Sequence, residues 1–272
     1  LKRFGFEFTV VDMQDLNAVQ NAIQDNTVAI YFETPTNPLL QIADIEAIAK
    51  IAKKHGVRTI VDNTFATTYN QQPLTLGADI IVHSATKYLG GHSDVVAGLA
   101  VTKEQQIAEQ LAFLQNSIGS TLGPDDSWLL QRGIKTLGAR MRVHQENAAA
   151  VVDFLQQDSR IEKIYYPGLA DFPGLSVAAK QMKNFGAMIS FELKAGLDAK
   201  KFVESLQLID LAESLGGIES LIEVPAVMTH GSIPREIRLK NGIKDELIRL
   251  SVGIEDPEDI IADLKQALDQ LN

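Results

Sequence analysis

The run Ser84-Ala85-Thr86-Lys87-Tyr88-Leu89-Gly90-Gly91-His92 places two hydroxyls and an amine directly after an apolar stretch, Ile80-Ile81-Val82. A strand emerging from a core at this point would deliver those polar groups to one spot. The hydroxyls of Ser84 and Thr86 can hold a phosphate, and the amine of Lys87 can attack a carbonyl. A cofactor that carries both an aldehyde and a phosphate, as pyridoxal phosphate does, matches this pairing. An amine must be partly neutral to attack an aldehyde, and a partly desolvated strand end favours that form. Lys87 is therefore the candidate Schiff-base lysine.

Other polar residues end or interrupt apolar runs in the same way. Asp62 follows Thr59-Ile60-Val61. A carboxylate there is costly to bury unless paired, and a pyridinium nitrogen would be a suitable partner. The stretch Glu33-Thr34-Pro35-Thr36-Asn37-Pro38 ends another apolar run. Its prolines stiffen the loop, so the Asn37 amide could be held in one pose and donate to a phenolate oxygen. Taken alone, that segment also reads as an ordinary proline-rich loop. Arg249 stands in Leu247-Ile248-Arg249-Leu250-Ser251-Val252-Gly253, where it could clamp a carboxylate in bidentate fashion. Glu213-Ser214-Leu215-Gly216-Gly217 offers a carboxylate, a hydroxyl and a flexible backbone. His83, His92 and His230 have no ligand spacing with carboxylates and read as local hydrogen-bonders, so no metal site is expected. Trp128 and the phenylalanines read as core or interface.

These residues need a scaffold. Val28-Ala29-Ile30-Tyr31-Phe32 is apolar and of strand length, and strand-like runs recur at 58–61, 80–83 and 95–101. Between the first two, Ile45, Ile48, Ala49 and Ala52 repeat at helical spacing, and Gly56 follows as a stop. Apolar strands separated by helices predict a mainly parallel α/β sheet flanked by helices. Such sheets bind ligands at the carboxyl ends of their strands, where Asn37, Asp62, Ser84 and Lys87 fall. Residues 103–158 read as helical, with a domain boundary near Leu137-Gly138. Two domains are thus expected, 1–137 and 138–272, the second a smaller α+β unit with strands at 185–193 and 247–253. Its last helix is signalled by Asp256 as cap, Pro257 at the first position and acidic residues in the first turn.

Composition narrows the classes. A formal net charge of -10 argues against non-specific nucleic-acid binding. No apolar run reaches the roughly 18–20 residues of a membrane span, so no membrane partner is expected. The absence of cysteine excludes disulfides and thiolate metal sites and fits a cytoplasmic protein. No G-x-G-x-x-G follows a strand, which weakens a dinucleotide-binding reading. The chain opens Leu1-Lys2-Arg3-Phe4 and reads as starting in mid-protein.

The ordered motifs Glu33–Pro38, Val61-Asp62-Asn63-Thr64, Ser84–Ser93, Glu213–Gly217 and Arg249–Glu255 closely resemble the Cys/Met-metabolism PLP-dependent enzymes. This transsulfuration group includes cystathionine γ-lyase and cystathionine γ-synthase. The resemblance spans essentially the whole chain and implies the large fold type I (aminotransferase-like) architecture. It implies pyridoxal 5'-phosphate as cofactor, bound by Lys87, Asp62 at the pyridine nitrogen, Ser84 and Thr86 at the phosphate and Asn37 at the ring oxygen. It further implies Arg249 as the α-carboxylate clamp with Ser214 assisting, Asn37 alongside, and Glu213 facing the distal part of the substrate. The implied activity is carbon–sulfur lyase action, γ-elimination of L-cystathionine by a cytoplasmic homotetramer with shared active sites. The same residues would serve γ-replacement, as in cystathionine γ-synthase or an O-acylhomoserine sulfhydrylase. Family chains carry a further segment before the position matching Leu1. That segment supplies a phosphate-binding loop, a ring-stacking tyrosine, and tyrosine and arginine residues for the neighbouring subunit. A catalytically incomplete fragment acting as a folded module is accordingly a third reading.

Overall fold

Residues 2–271 are described by a computed structural model; Leu1 and Asn272, the outer ends of the two expected domains, lie outside the described residues. In chain order the elements are α1 (Leu16–Ala22), β1 (Ala29–Glu33), α2 (Ile45–Lys54), β2 (Arg58–Asp62), α3 (Thr67–Asn70), β3 (Ile80–Ser84), β4 (Gly98–Thr102), α4 (Gln105–Ile118), α5 (Pro124–Lys135) and α6 (Leu137–Gln157). They continue with β5 (Ile161–Tyr165), α7 (Leu175–Gln181), β6 (Met188–Leu193), α8 (Ala199–Glu204), β7 (Asp210–Leu211), β8 (Leu221–Glu223), α9 (Arg235–Lys240), β9 (Leu247–Ser251) and α10 (Pro257–Asp269).

The first sheet has the order β1-β2-β3-β4. The first three strands are parallel, and β4 runs antiparallel to β3 at the edge. Asp44 caps α2 by accepting from the Ala47 amide at 2.9 Å, and Gly56 leaves it at φ 67°. The apolar stripe of α2, Ile45 and Ile48, packs on Phe32, Val61 and Ile81. The opposite sheet face carries Tyr31, 59% exposed, beside Ile60, its register partner. Glu33 pairs with Asp62, and Asp62 with Val82, so the strands end together. The expected strand at 95–101 forms later, because residues 85–97 are a loop that Thr86 closes onto Ala97: its hydroxyl accepts from the Ala97 amide at 3.0 Å.

The second sheet, β5-β6-β9-β8-β7, is antiparallel except between β7 and β8. The strand expected from Phe185 starts at Met188: Gly186 takes φ 81°, and Phe185 turns edge-on to Tyr166. Alternation divides this sheet cleanly. Ile189, Phe191, Ile222, Ile248 and Leu250 belong to the core with Met141 and Val151 of α6 and Ile260 and Leu264 of α10. The other face carries a polar row, because Arg249 is the register partner of both Ser190 and Glu223. Asp256 caps α10, as its sequence signalled.

The Lys87 loop is pinned from beneath by α5 and α6. Arg140, buried on α6, donates to the Tyr88 and Gly133 carbonyls, each at 2.8 Å. A Cβ on Gly91 would strike the Arg140 guanidinium, and one on Gly133 would lie 2.1 Å from the Gly90 carbonyl oxygen. Helix propensity alone favours Gly133→Ala by about 1 kcal/mol, but the obstruction is backbone, which cannot swing aside. Gly133→Ala is therefore expected to destabilise the protein by about 1–3 kcal/mol, measured as a lower urea midpoint; an unchanged or raised midpoint would refute the close approach.

Candidate active site

Three strand ends of the first sheet meet the polar row of the second. The tight turn after β3, with Gly91 donating to the Lys87 carbonyl at 2.8 Å, holds Lys87 so that its amine lies 3.1 Å from the Ser214 hydroxyl. Burial pushes the Lys87 amine below the usual lysine range, and the nearby Arg249 cation adds to this while Glu223 opposes it. A depressed amine has more of the neutral, nucleophilic form.

Asp62 is fixed at both oxygens. Oδ1 accepts from the Thr64 amide at 3.0 Å and the Thr64 hydroxyl at 2.6 Å, and Oδ2 accepts from the Tyr31 hydroxyl at 3.2 Å. The Thr64 oxygen also accepts from the Ser84 amide at 2.8 Å, which locks the ends of β2 and β3 together. Burial and the Asp62 charge raise the Tyr31 phenol to about 12, so it stays a neutral donor.

The loop after β1 is held by its own acid: Glu33 accepts from the Asn37 amide at 3.0 Å. Asn37 Oδ1 in turn accepts from Arg249 Nη1 at 3.1 Å, and Ser190 donates to the Pro38 carbonyl at 2.6 Å. Arg249 Nη2 donates to the carbonyls of Glu213 at 2.8 Å and Ser214 at 3.2 Å. Its Nη1 forms an ion pair with Glu223 at 2.9 Å, both side chains being fully enclosed at 2% and 0% exposure.

Lys87, Ser214, Arg249 and Asn37 thus form one connected cluster, with Asp62 and Ser84 at the adjoining strand ends. Thr86 stands apart, since its hydroxyl both accepts from and donates to the Ala97 backbone. Glu213 enters the cluster through its carbonyl. Sequence reasoning passed over Glu223, Ser190 and Tyr31, and took Thr64 only as part of the motif around Asp62. Glu223 had a signal: a lone acid in Leu221-Ile222-Glu223-Val224, matching the lone cation of β9. His92 and His230 hydrogen-bond locally, at 2.8 and 2.9 Å. His83 does not: it is buried, and neither ring nitrogen has a partner among the described residues. Burial lowers its pKa and keeps it neutral. Trp128 is not core but 58% exposed, with Arg132 over its ring.

The donor set fits pyridoxal phosphate. The half-buried Lys87 amine suits an aldehyde and the Asp62 carboxylate a pyridinium N–H. The Ser84 hydroxyl, without a hydrogen bond to protein among the described residues, suits a phosphate oxygen. Arg249 Nε is buried without a partner among the described residues and has donor capacity to spare.

Residues 1–269 match the family described as Cys/Met metabolism PLP-dependent enzyme. Similar proteins include a cystathionine beta-lyase of Lactococcus lactis subsp. cremoris, 58% identical over 99% of this chain and 71% of that protein. Another is a cystathionine gamma-lyase of Bacillus subtilis, 56% identical over 100% of this chain and 72% of that protein. The crystal structure of cystathionine gamma-lyase from Lactobacillus plantarum complexed with L-serine superposes with a TM-score of 0.98 at 59% identity, covering 99% of this chain and 71% of that one.

Burial raises the Glu33 carboxyl from 4.5 to about 7; the neighbouring Asp62 charge adds to the rise, and the Asn37 amide and Arg249 oppose it. A carboxyl that binds its proton more tightly when folded stabilises the fold at low pH. That contribution is present below about 4.5 and is lost as pH rises through about 7. Glu33→Gln is expected to flatten this fall in melting temperature across that window, in scans of the protein without added cofactor. An unchanged slope would show that Glu33 does not titrate there.

Proposed function

The chain belongs to the Cys/Met metabolism family of PLP-dependent enzymes and is a carbon–sulfur lyase with pyridoxal phosphate as its cofactor, and from that premise we propose that it catalyses γ-elimination of L-cystathionine to cysteine, 2-oxobutyrate and ammonia. The observation that carries this reading is the convergence of the Lys87 amine with Ser214 and the enclosed Arg249 guanidinium, beside the strand end bearing Asp62.

In this reading Lys87 binds the cofactor aldehyde, Asp62 the pyridine nitrogen, Ser84 and Thr86 the phosphate, and Asn37 the ring oxygen. Residues 1–137 form the cofactor-binding domain, and residues 138–272 supply the carboxylate clamp. Bound pyridoxal phosphate supplies an electron sink that acidifies the Cα proton of an amino acid. Arg249 receives the α-carboxylate and fixes which Cα bond faces Lys87. Lys87, released once the substrate's amine has taken its place at the aldehyde, and with its pKa lowered by burial beside Ser214, would take the Cα proton as a neutral amine. Removal of a Cβ proton would then let the Cγ–S bond break, the sulfur leaving with a proton as the thiol of cysteine, and water would release 2-oxobutyrate and ammonia. Glu213 faces the distal half of the substrate. The working enzyme is a cytoplasmic homotetramer with shared active sites, a reading with which the exposed Phe113, Ile118 and Trp128 agree.

Product analysis after mixing the holoenzyme with L-cystathionine tests the reaction. Cysteine with 2-oxobutyrate is the expected result. Homocysteine with pyruvate would replace γ- by β-elimination, and incorporation of an added thiol would indicate γ-replacement. Lys87→Ala is expected to lower kcat/KM by about 10²–10⁴-fold or more and to abolish the visible absorbance of the bound cofactor. Retention of both would overturn the assignment of Lys87.

A further inference from the structure

We propose that Glu223 is a positioning residue for recognition of the substrate's α-carboxylate, presetting the Arg249 guanidinium before the substrate arrives. The proposal rests on the reading of Arg249 as the carboxylate clamp. Glu223 is the register partner of Arg249 across β8 and β9, so the pairing is built into the sheet rather than reached by a flexible loop. Its Oε1 does two things at once: it accepts from Arg249 Nη1 at 2.9 Å and from the Thr229 hydroxyl at 2.8 Å. Thr229 Oγ1 lies 2.9 Å from His230 Nδ1, so the chain after β8 braces the carboxylate from behind.

The guanidinium is thereby gripped on both terminal nitrogens. Nη1 is shared by Glu223 and Asn37, and Nη2 by the carbonyls of Glu213 and Ser214. Nε has no partner among the described residues. A fork held this way presents its remaining donor in one direction, and the rotamer entropy of a long side chain is spent in folding rather than in binding. Glu223 also answers an electrostatic need. Arg249 is buried close enough to Lys87 for the two cations to repel, and a buried cation without a counter-ion is strongly unfavourable. Removing Glu223 would free the guanidinium to turn away from Lys87, and the carboxylate site would turn with it.

The test uses holoenzyme and a ligand pair differing only at the recognised group, L-alanine and L-alaninamide, with dissociation constants from titration of the cofactor absorbance. The parent should favour alanine over alaninamide. Glu223→Ala and Glu223→Asp, the latter keeping the charge but withdrawing it from Nη1, are each expected to cut that preference about tenfold by weakening alanine alone. Turnover of L-cystathionine should follow with raised KM and kcat within about threefold. Glu223→Gln, which keeps an acceptor for Nη1 but removes the counter-charge, is expected to keep part of the preference, between the parent and Glu223→Ala. If Glu223→Ala fails to fold, the Asp variant carries the comparison. A parent-like preference in the Asp variant, or equal weakening of both ligands, would overturn the proposal. Arg249→Gln separates the two readings: loss of the preference there, with none in the Glu223 variants, would refute Glu223 alone. An unchanged preference in Arg249→Gln would refute the clamp itself.

Discussion

Arg249 has to be satisfied without water, and much of this molecule is arranged around that requirement. A guanidinium at 2% exposure keeps its charge only where acceptors surround it. Here they come from two distant parts of the chain: Asn37 after β1, and, far along it, the carbonyls of Glu213 and Ser214 before β8 with Glu223 on β8 itself. Satisfying one side chain therefore fixes the loop of one sheet against the face of the other. Ser190, on the same polar row, adds a second tie by donating to the Pro38 carbonyl.

Arg140 repeats the device at the other wall of the site. Among the described residues its side chain is met by neutral acceptors rather than a carboxylate: the carbonyls of Tyr88, Leu89 and Gly133 and the Thr136 hydroxyl. The glycines around it are consequences of that packing. Gly91 must leave room for the guanidinium, and Gly133 must let α5 touch the backbone of Gly90. Gly216 is constrained in the same sense from the second sheet's side, since a Cβ there would lie 2.6 Å from the Tyr88 amide nitrogen. The turn bearing Lys87 is thus held by close backbone contact rather than by its own hydrogen bonds alone.

The sequence was most legible where one physical signal sufficed. Parallel strands β1 to β3 are contiguous apolar runs, α2 has a clean stripe, and α10 announces its cap. Lys87, Asp62 and Arg249 stood out because a polar group at the end or middle of an apolar strand demands a reason. What was hidden depends on pairing. Nothing local says that Glu223 lies opposite Arg249; that is a matter of register between strands separated by α9. Tyr31 reads as one more apolar residue until Asp62 is found beside its hydroxyl. Thr86 has a second task that nothing local announces, closing the 85–97 loop onto the Ala97 backbone. The antiparallel edge of β4 follows from that same loop, since a parallel return would need a crossover helix and 85–97 contains none.

The balance of charge across the site follows from the same geometry. Two cations, Lys87 and Arg249, face two acids, Glu33 and Glu223, and burial acts on all four. For the cations, burial favours deprotonation, repulsion by Arg249 adding to it at Lys87, but arginine lies so far above neutrality that only the lysine can yield. Burial thus falls on the residue whose chemistry needs a neutral amine and leaves the guanidinium charged. For the acids, burial favours the proton: Glu33 is carried to about 7, and Glu223 is raised as well, its contact with Arg249 opposing the rise. A site with one fixed cation, one compensating carboxylate and one adjustable amine can admit an amino acid's carboxylate without holding an uncancelled charge when empty. Exchanging Arg249 for lysine would lose this division of labour, because two adjustable amines would share one pocket and neither would be assured of its charge.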